Sequence, residues 1–457
     1  MIEIPADVLE DKVRGGLVGQ ILGNLNGMPY EMKFIDEPGA VESYVPGLPE
    51  GARTDDDTDI EWTYITEMAR TGVLFTPPRR MRELWRTHIN RCIWCANRYA
   101  RDLMELGMEP PLTGRIALNP WADFNISGAF LAESFGLVAP AMPQTAGRLG
   151  LHYTHVAIDG EPAQQTQFVT AMIATAYVET DAAKIVEAGL TAVDPKSALR
   201  EVIEDVIRWH RENPADWRAT RRLIKEKYTR HGGGLRDKNG YELNTAAIVG
   251  PLLYGGGDFA ESLRLAFNFG WDADCTAASV GAVLGVVRGR RWMEAQGWKI
   301  VDVYRNTSRD AMPQDETITR FGDRLITVAR QVIREQGGEE FTRDGKRFVR
   351  IPAETLANVE PLPQPLDRLD ELKTQLLPQV EKDLSGVAAD CARAAYLAIC
   401  LGEAERLKKD RPEDWAKALD ALRAYPAILN NLFDAPQPSG TRLQGLARAA
   451  GLVKPQP

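Results

Sequence analysis

Cysteine is scarce. Five in 457 residues, an odd number, do not make the paired framework that staples a small secreted fold. Cys92 and Cys95 form a C-x-x-C, but no second pair or histidine pair stands at zinc-knuckle spacing, so they read as ordinary helix cysteines. Cys391 and Cys400 fall in an apolar helical stretch and read as core. Long apolar runs are missing too. None approaches the ~20 residues that span a bilayer, and the start MIEIPADVLEDKV lacks the basic head and apolar stretch of a secretion signal. A soluble, cytoplasmic protein with no membrane partner is expected. Nor is there an excess of positive charge: 55 Lys and Arg against 64 Asp and Glu leave −9, and no basic run tracks a phosphate backbone. A nucleic-acid duplex is therefore a poor partner. No P-loop is present, and the glycine runs Gly232–Gly234 and Gly255–Gly257 follow no strand at dinucleotide-fold spacing, so they read as loops.

What is present is helical periodicity. The chain has 44% hydrophobic and 26% charged residues, ordinary for two or three globular domains. Leu9, Val13, Leu17 and Ile21 step by four, as do Ile60, Tyr64 and Met68. Pro77 and Pro78 suit a helix start running on through residue 106, and further helices are expected near 163–178, 196–211, 258–269, 275–288 and 319–336. Strand signal concentrates at 340–351, where Asp344-Gly345 reads as a hairpin turn. Pro361, Pro363 and Pro365 follow as a linker. The expected layout is a helical domain over 1–337, a hairpin and proline-rich linker over 338–366, and a helical extension over 367–457.

Two carboxylate clusters stand out. RTDDDTDIEWTYI places Asp55, Asp56, Asp57 and Asp59 at a helix start. A helix N-terminus welcomes one or two acids. Three in succession repel one another, and solvation, proton uptake or a cation must offset the cost. GWDADCTAASVGAVLGVVRG places Asp272 and Asp274 ahead of a helix apolar on nearly every side, hence buried. No Lys or Arg lies between Arg264 and Arg288 to neutralise them. A hard divalent cation shared with the first cluster is the natural partner, so 55–57 and 272–274 should meet in space.

DDDTD at 55–59 and GWDADCTAASVGAVLG at 270–285 resemble signatures of the ADP-ribosylglycohydrolase family. GGLVGQILGNLNGMPYE at 15–31 is similar to its opening helix, and YTHVAIDGEPAQQTQFVTAMIATAY at 153–177 to its T-H segment with the alanine-rich helix after it. The resemblance spans about 8–335 and implies an all-α, orthogonal multi-helix domain, with the hairpin and the helical C-terminal extension lying outside it. It implies a binuclear metal centre at an ADP-ribose cleft, Mg²⁺ at two sites, with Mn²⁺ or Ca²⁺ as alternatives. Position by position, it aligns Asp55, Asp56, Asp57, Asp272, Asp274 and Cys275 with metal ligands. Asp56, Asp57 and Glu31 align with catalytic acids, Glu31 as one that gates the cleft or reaches the metal. His155, Asn125 and Ser127 fall in substrate segments. Trp271, beside the D-x-D, reads either as a stacking or wall residue or as core.

The implied activity is hydrolysis of an N- or O-glycosidic bond to the ribose of ADP-ribose, on a protein or a small molecule. The alternatives are hydrolysis of another nucleoside or N-riboside, and a non-catalytic binder of ADP-ribose or a partner. Three departures bear on it: Asn24 replaces an Asp, Cys275 a hydroxyl residue, and FNISGAF at 124–130 lacks the family's Arg. Sulfur is a poor partner for Mg²⁺, and Asp55 adds a hard ligand, so a packing role is expected for the thiol. His152 and His155 do not suit an oxygen-ligand site. No serine elbow or Cys-His dyad is found.

Overall fold

A computed structural model describes residues 1–362 and 368–455. Pro363 and Pro365 of the expected linker lie outside the described residues. The class is all-α. Among the described residues the strands form a three-stranded antiparallel sheet and a two-stranded parallel pair, Ala52–Arg53 with Tyr304–Arg305. The expected hairpin forms as Glu339–Arg343 and Lys346–Ile351, turning at Asp344 (φ 53°) and Gly345 (φ 74°). Its second strand also pairs with Ile2–Pro5, in the register Ile2 to Ile351. No helix among the described residues is long and apolar enough to cross a membrane.

The helix expected from Pro77 to residue 106 is two helices, Pro78–His88 and Cys95–Glu105. The break holds β-branched Ile89 and Ile93 and Asn90, all weak helix formers. Cys92 lies in this break, not in a helix, and Cys92 and Cys95 both have positive φ, 50° and 47°.

The chain packs as two compact units: residues 1–76, 126–154 and 161–362 form one, and 77–125, 155–160 and the described part of 363–457 form the other. The second is organised by a cluster in which Tyr99, Leu103 and Leu106 meet Cys391, Tyr396, Leu397 and Cys400. The hydroxyls of Tyr99 and Tyr396 are 2.9 Å apart within it.

In the first unit, helices Ala6–Gly27 and Ala273–Arg288 run backbone against backbone. A Cβ on Gly19 would sit 2.0 Å from the Gly281 carbonyl oxygen, one on Gly23 2.0 Å from that of Ala277, and one on Gly15 2.4 Å from that of Gly285. Glycine costs a helix roughly 1 kcal/mol relative to alanine, and here the close approach it permits offsets that cost. The seam ends at Gly27, whose Cβ would lie 2.5 Å from Asp274 Cα. It thus sets the end of the first helix beside the second carboxylate cluster.

Candidate functional site

Helix Asp56–Thr71 begins where the chain leaves the parallel pairing. Thr54 N–H donates to the Arg305 carbonyl (2.8 Å), and Thr54 Oγ1 accepts from Thr307 N–H and Ser308 Oγ, each at 2.7 Å. Asp55 occupies the N-cap in extended backbone, yet its side chain makes no capping hydrogen bond. Its carboxylate is not spent on the helix end. Asn24 Nδ2 donates to Asp55 Oδ2 (2.9 Å) and Asp57 Oδ2 (3.2 Å), placing an amide donor between two like charges. This is the position where the resemblance led one to expect a further Asp. Asp59 has another partner: its Oδ1 pairs with Arg309 Nε at 2.6 Å, both side chains fully buried, and Ser308 Oγ donates to its other oxygen. Burial lifts Asp59 to about 6, with Arg309 pulling against it.

Asp272 leads into helix Ala273–Arg288, and its N–H donates to Asn244 Oδ1 at 3.2 Å. Three overlapping ligand groups result: Asp55, Asp56 and Asp57; Asp57, Asp272 and Cys275; and Glu31, Asp272 and Asp274. Within each group one potential ligand atom per residue lies within 4.8 Å of the others. Donors held ~2.0–2.6 Å from one ion can be no more than about 4–5 Å apart, so each group has the span of a single dication. The clusters expected to meet do meet. Cys275, expected to serve packing, is fully buried but has its sulfur among carboxylate oxygens.

The electrostatics match an unneutralised site. Burial pushes Asp57 well above the usual carboxylate range, and Asp274 and Asp56 push it further. Asp56, Asp272 and Asp274 are raised as well, burial again first. Glu31 presents an exposed outer face, but desolvation of its carboxyl, then Asp272 and Asp55, lift it to about 7. The Cys275 thiol is pushed up by burial, then by Asp57 and Asp272. Asp274 Oδ1 and Asn24 Oδ1 are buried without a hydrogen-bond partner among the described residues. Buried oxygens of this kind, short of donors, fit a hard cation.

Trp271 is fully buried, and the Arg221 guanidinium covers its ring at 3.4 Å from the centroid, so the core reading describes it. Ser127 opens a short buried helix in the first unit; Asn125 and His155 are buried in the second. His155 Nδ1 lies 3.0 Å from the Ile158 carbonyl, His152 Nε2 2.9 Å from that of Thr76, and neither joins a ligand group. Arg221 was missed by sequence reasoning. Its Nε donates to the Phe269 carbonyl (2.6 Å) and its Nη2 to those of Phe34 and Ile35 (3.0 Å each), while Met32 N–H donates to the Trp271 carbonyl (2.7 Å). Together they tie the turn carrying Glu31 to the segment ahead of Asp272. The available signal was periodicity: Trp217, Arg221, Ile224 and Tyr228 share one buried helix face.

A profile of the family described as ADP-ribosylglycohydrolase matches residues 5–335. No curated protein matches. One solved structure, described as "ADP-ribosylglycohydrolase-related protein complex", is 17% identical, with 71% of this chain and 99% of that chain covered and a TM-score of 0.44. The profile takes in the glycine seam and every residue of the three ligand groups, and the chain belongs to the ADP-ribosylglycohydrolase family.

Proposed function

We propose that the protein is a metal-dependent hydrolase that cleaves an N- or O-glycosidic bond to the ribose of ADP-ribose, carried by a protein or a small molecule. The observation that supports this best is the run of overlapping ligand groups, joined through Asp57 and Asp272. Asp55, Asp56 and Asp57 would hold one divalent cation, and Glu31, Asp272 and Asp274 a second, with Mg²⁺ suited to these all-oxygen groups. When bound, such a pair holds ribose hydroxyls and orients and acidifies a water.

The chain's own residues supply the rest. Asn24 donates to Oδ2 of both Asp55 and Asp57 and so holds the two carboxyl groups side by side. Asp56 or Asp57 then takes the proton of the attacking water as general base. The surrounding carboxylates stabilise positive charge as it builds on the ribose carbon. Glu31, raised to about 7 by burial and by Asp272 and Asp55 before any cation is bound, stands at the exposed edge of the site as a ligand for the second cation. Ser127, in the same unit as the ligand groups, is carried as a substrate contact by the family resemblance.

The test is release of ADP-ribose from one N-linked and one O-linked ADP-ribosyl peptide, with chelator and with added Mg²⁺ or Mn²⁺. Cation-dependent release that Asp57→Asn abolishes is expected. No release from either peptide by the cation-loaded protein would sink the reading.

A further inference from the structure

We infer that the central ligand group, Asp57, Asp272 and Cys275, is a mixed oxygen and thiolate site for a thiophilic dication of the Zn²⁺ or Co²⁺ type. The inference rests on the metal-centre reading above; because Asp57 and Asp272 are shared with the flanking groups, an ion held through Cys275 takes the place of one of the two cations rather than adding a third.

Cys275 is the third residue of helix Ala273–Arg288 and fully buried. A thiol serving only as packing belongs among carbon atoms. This one has its sulfur within 4.8 Å of carboxylate oxygens from two different helix starts, an arrangement unfavourable for thiol and carboxylates alike until a cation joins them. The flanking groups offer oxygen alone, whereas the middle group adds sulfur. Soft thiolate favours Zn²⁺ and Co²⁺ and gives little to Mg²⁺, so ligand chemistry sorts the ions by position. The buried, unpartnered Asp274 Oδ1 at the adjoining group is an independent sign that these side chains are built around cations.

Uptake at the middle position is proton-linked. The thiol gives up its S–H proton as the sulfur–metal bond forms: Cys–SH plus M²⁺ yields Cys–S–M⁺ plus H⁺, with the proton passing to solvent and no electron transferred. Binding at this position should weaken as pH falls.

The experiment uses the chelator-stripped full-length chain. Co²⁺ is titrated into a Cys92→Ser/Cys95→Ser background, which removes the two cysteines outside the buried core. A thiolate-to-Co²⁺ charge-transfer band in the near ultraviolet is expected, and it should vanish on adding Cys275→Ser or Cys275→Ala. In parallel calorimetry, Cys275→Ser should lower Zn²⁺ affinity by at least about 10-fold while Mg²⁺ affinity holds or rises. Titration in buffers of different ionisation enthalpy should show about one fewer proton released by the variant. No band, with Zn²⁺ affinity unchanged by Cys275→Ser, overturns the inference. The Co²⁺ spectrum of the Cys92→Ser/Cys95→Ser protein decides the matter even if neither Cys275 variant folds. Asp57→Asn separates the two levels. If it weakens Mg²⁺ and Zn²⁺ binding while the thiolate signature is missing, only the thiol assignment falls; if it weakens no cation, the metal centre falls with it.

Discussion

Asp272 belongs to two of the three ligand groups, so its charge is missed twice when removed. Asp272→Asn is expected to lower divalent-cation affinity and turnover by at least ~10-fold with the helical circular dichroism retained. Unchanged titration and turnover would take Asp272 out of the mechanism. A second outcome follows from the raised acids. Glu61, buried and accepting from Gln20 Nε2 (2.8 Å) and Ser134 N–H (2.9 Å), is lifted from an ordinary 4.5 to about 7, as is Glu31. Each supports the fold fully below pH 4.5 and withdraws that support as pH rises through about 7. The melting temperature of cation-free protein should therefore fall between about pH 4.5 and about pH 7, and the gain on adding Mn²⁺ should grow over that interval. A constant gain across the interval would count against cation binding at Glu31, the one of the two that stands in a ligand group. The acids themselves were legible in the sequence, because D-x-D ahead of an apolar helix and three successive aspartates both demand a neutralising partner. Arg221 was legible only as a position on a buried helix face, since a guanidinium that donates to backbone carbonyls and covers an indole leaves no charge pattern to read.

Among the elements, the glycine seam makes the sharpest demand. Gly19→Ala puts a methyl 2.0 Å from the Gly281 carbonyl oxygen, with rigid helix backbone on both sides. A loss of about 3 kcal/mol is expected, the upper part of the usual range for overpacking. Gly445→Ala is the control: it lies in helix Thr441–Ala449 with nothing within 4 Å of the added methyl, and should gain about 0.5–1 kcal/mol. Urea unfolding of both variants checks the contrast, and equal effects would refute the seam. Periodicity made most helices readable, because four-residue steps of apolar side chains mark a face whatever lies opposite. It did not show the break at 89–94, where weak local propensity outweighs a continuing pattern of apolar residues, nor the strand Ile2–Pro5, whose partner is the hairpin just beyond the far end of the family-matched span.

For the whole molecule, the family match ends at residue 335, yet later helices complete the core of the second unit. Tyr99, Leu103 and Leu106 pack there on Tyr396 and Leu397, Asn431 Nδ2 donates to Asp102 Oδ2 (2.5 Å), and Trp121 Nε1 donates to the Asn431 carbonyl (2.8 Å). A chain cut after residue 362 would bare that surface and is expected to aggregate, which size-exclusion chromatography with light scattering checks. A well-behaved monomer of the cut chain would show the later helices to be dispensable. The seam in the first unit also bears on the order of synthesis. Residues 15–27, rich in glycines that disfavour an isolated helix by ~1 kcal/mol each, leave the ribosome well before the backbone they are shaped to meet, 274–289. The nascent chain thus carries the glycine helix and Asp55, Asp56 and Asp57 without their second-cluster partners until 274–289 is made. Metal-binding competence should arrive as a single event, when the second glycine helix emerges and closes the seam.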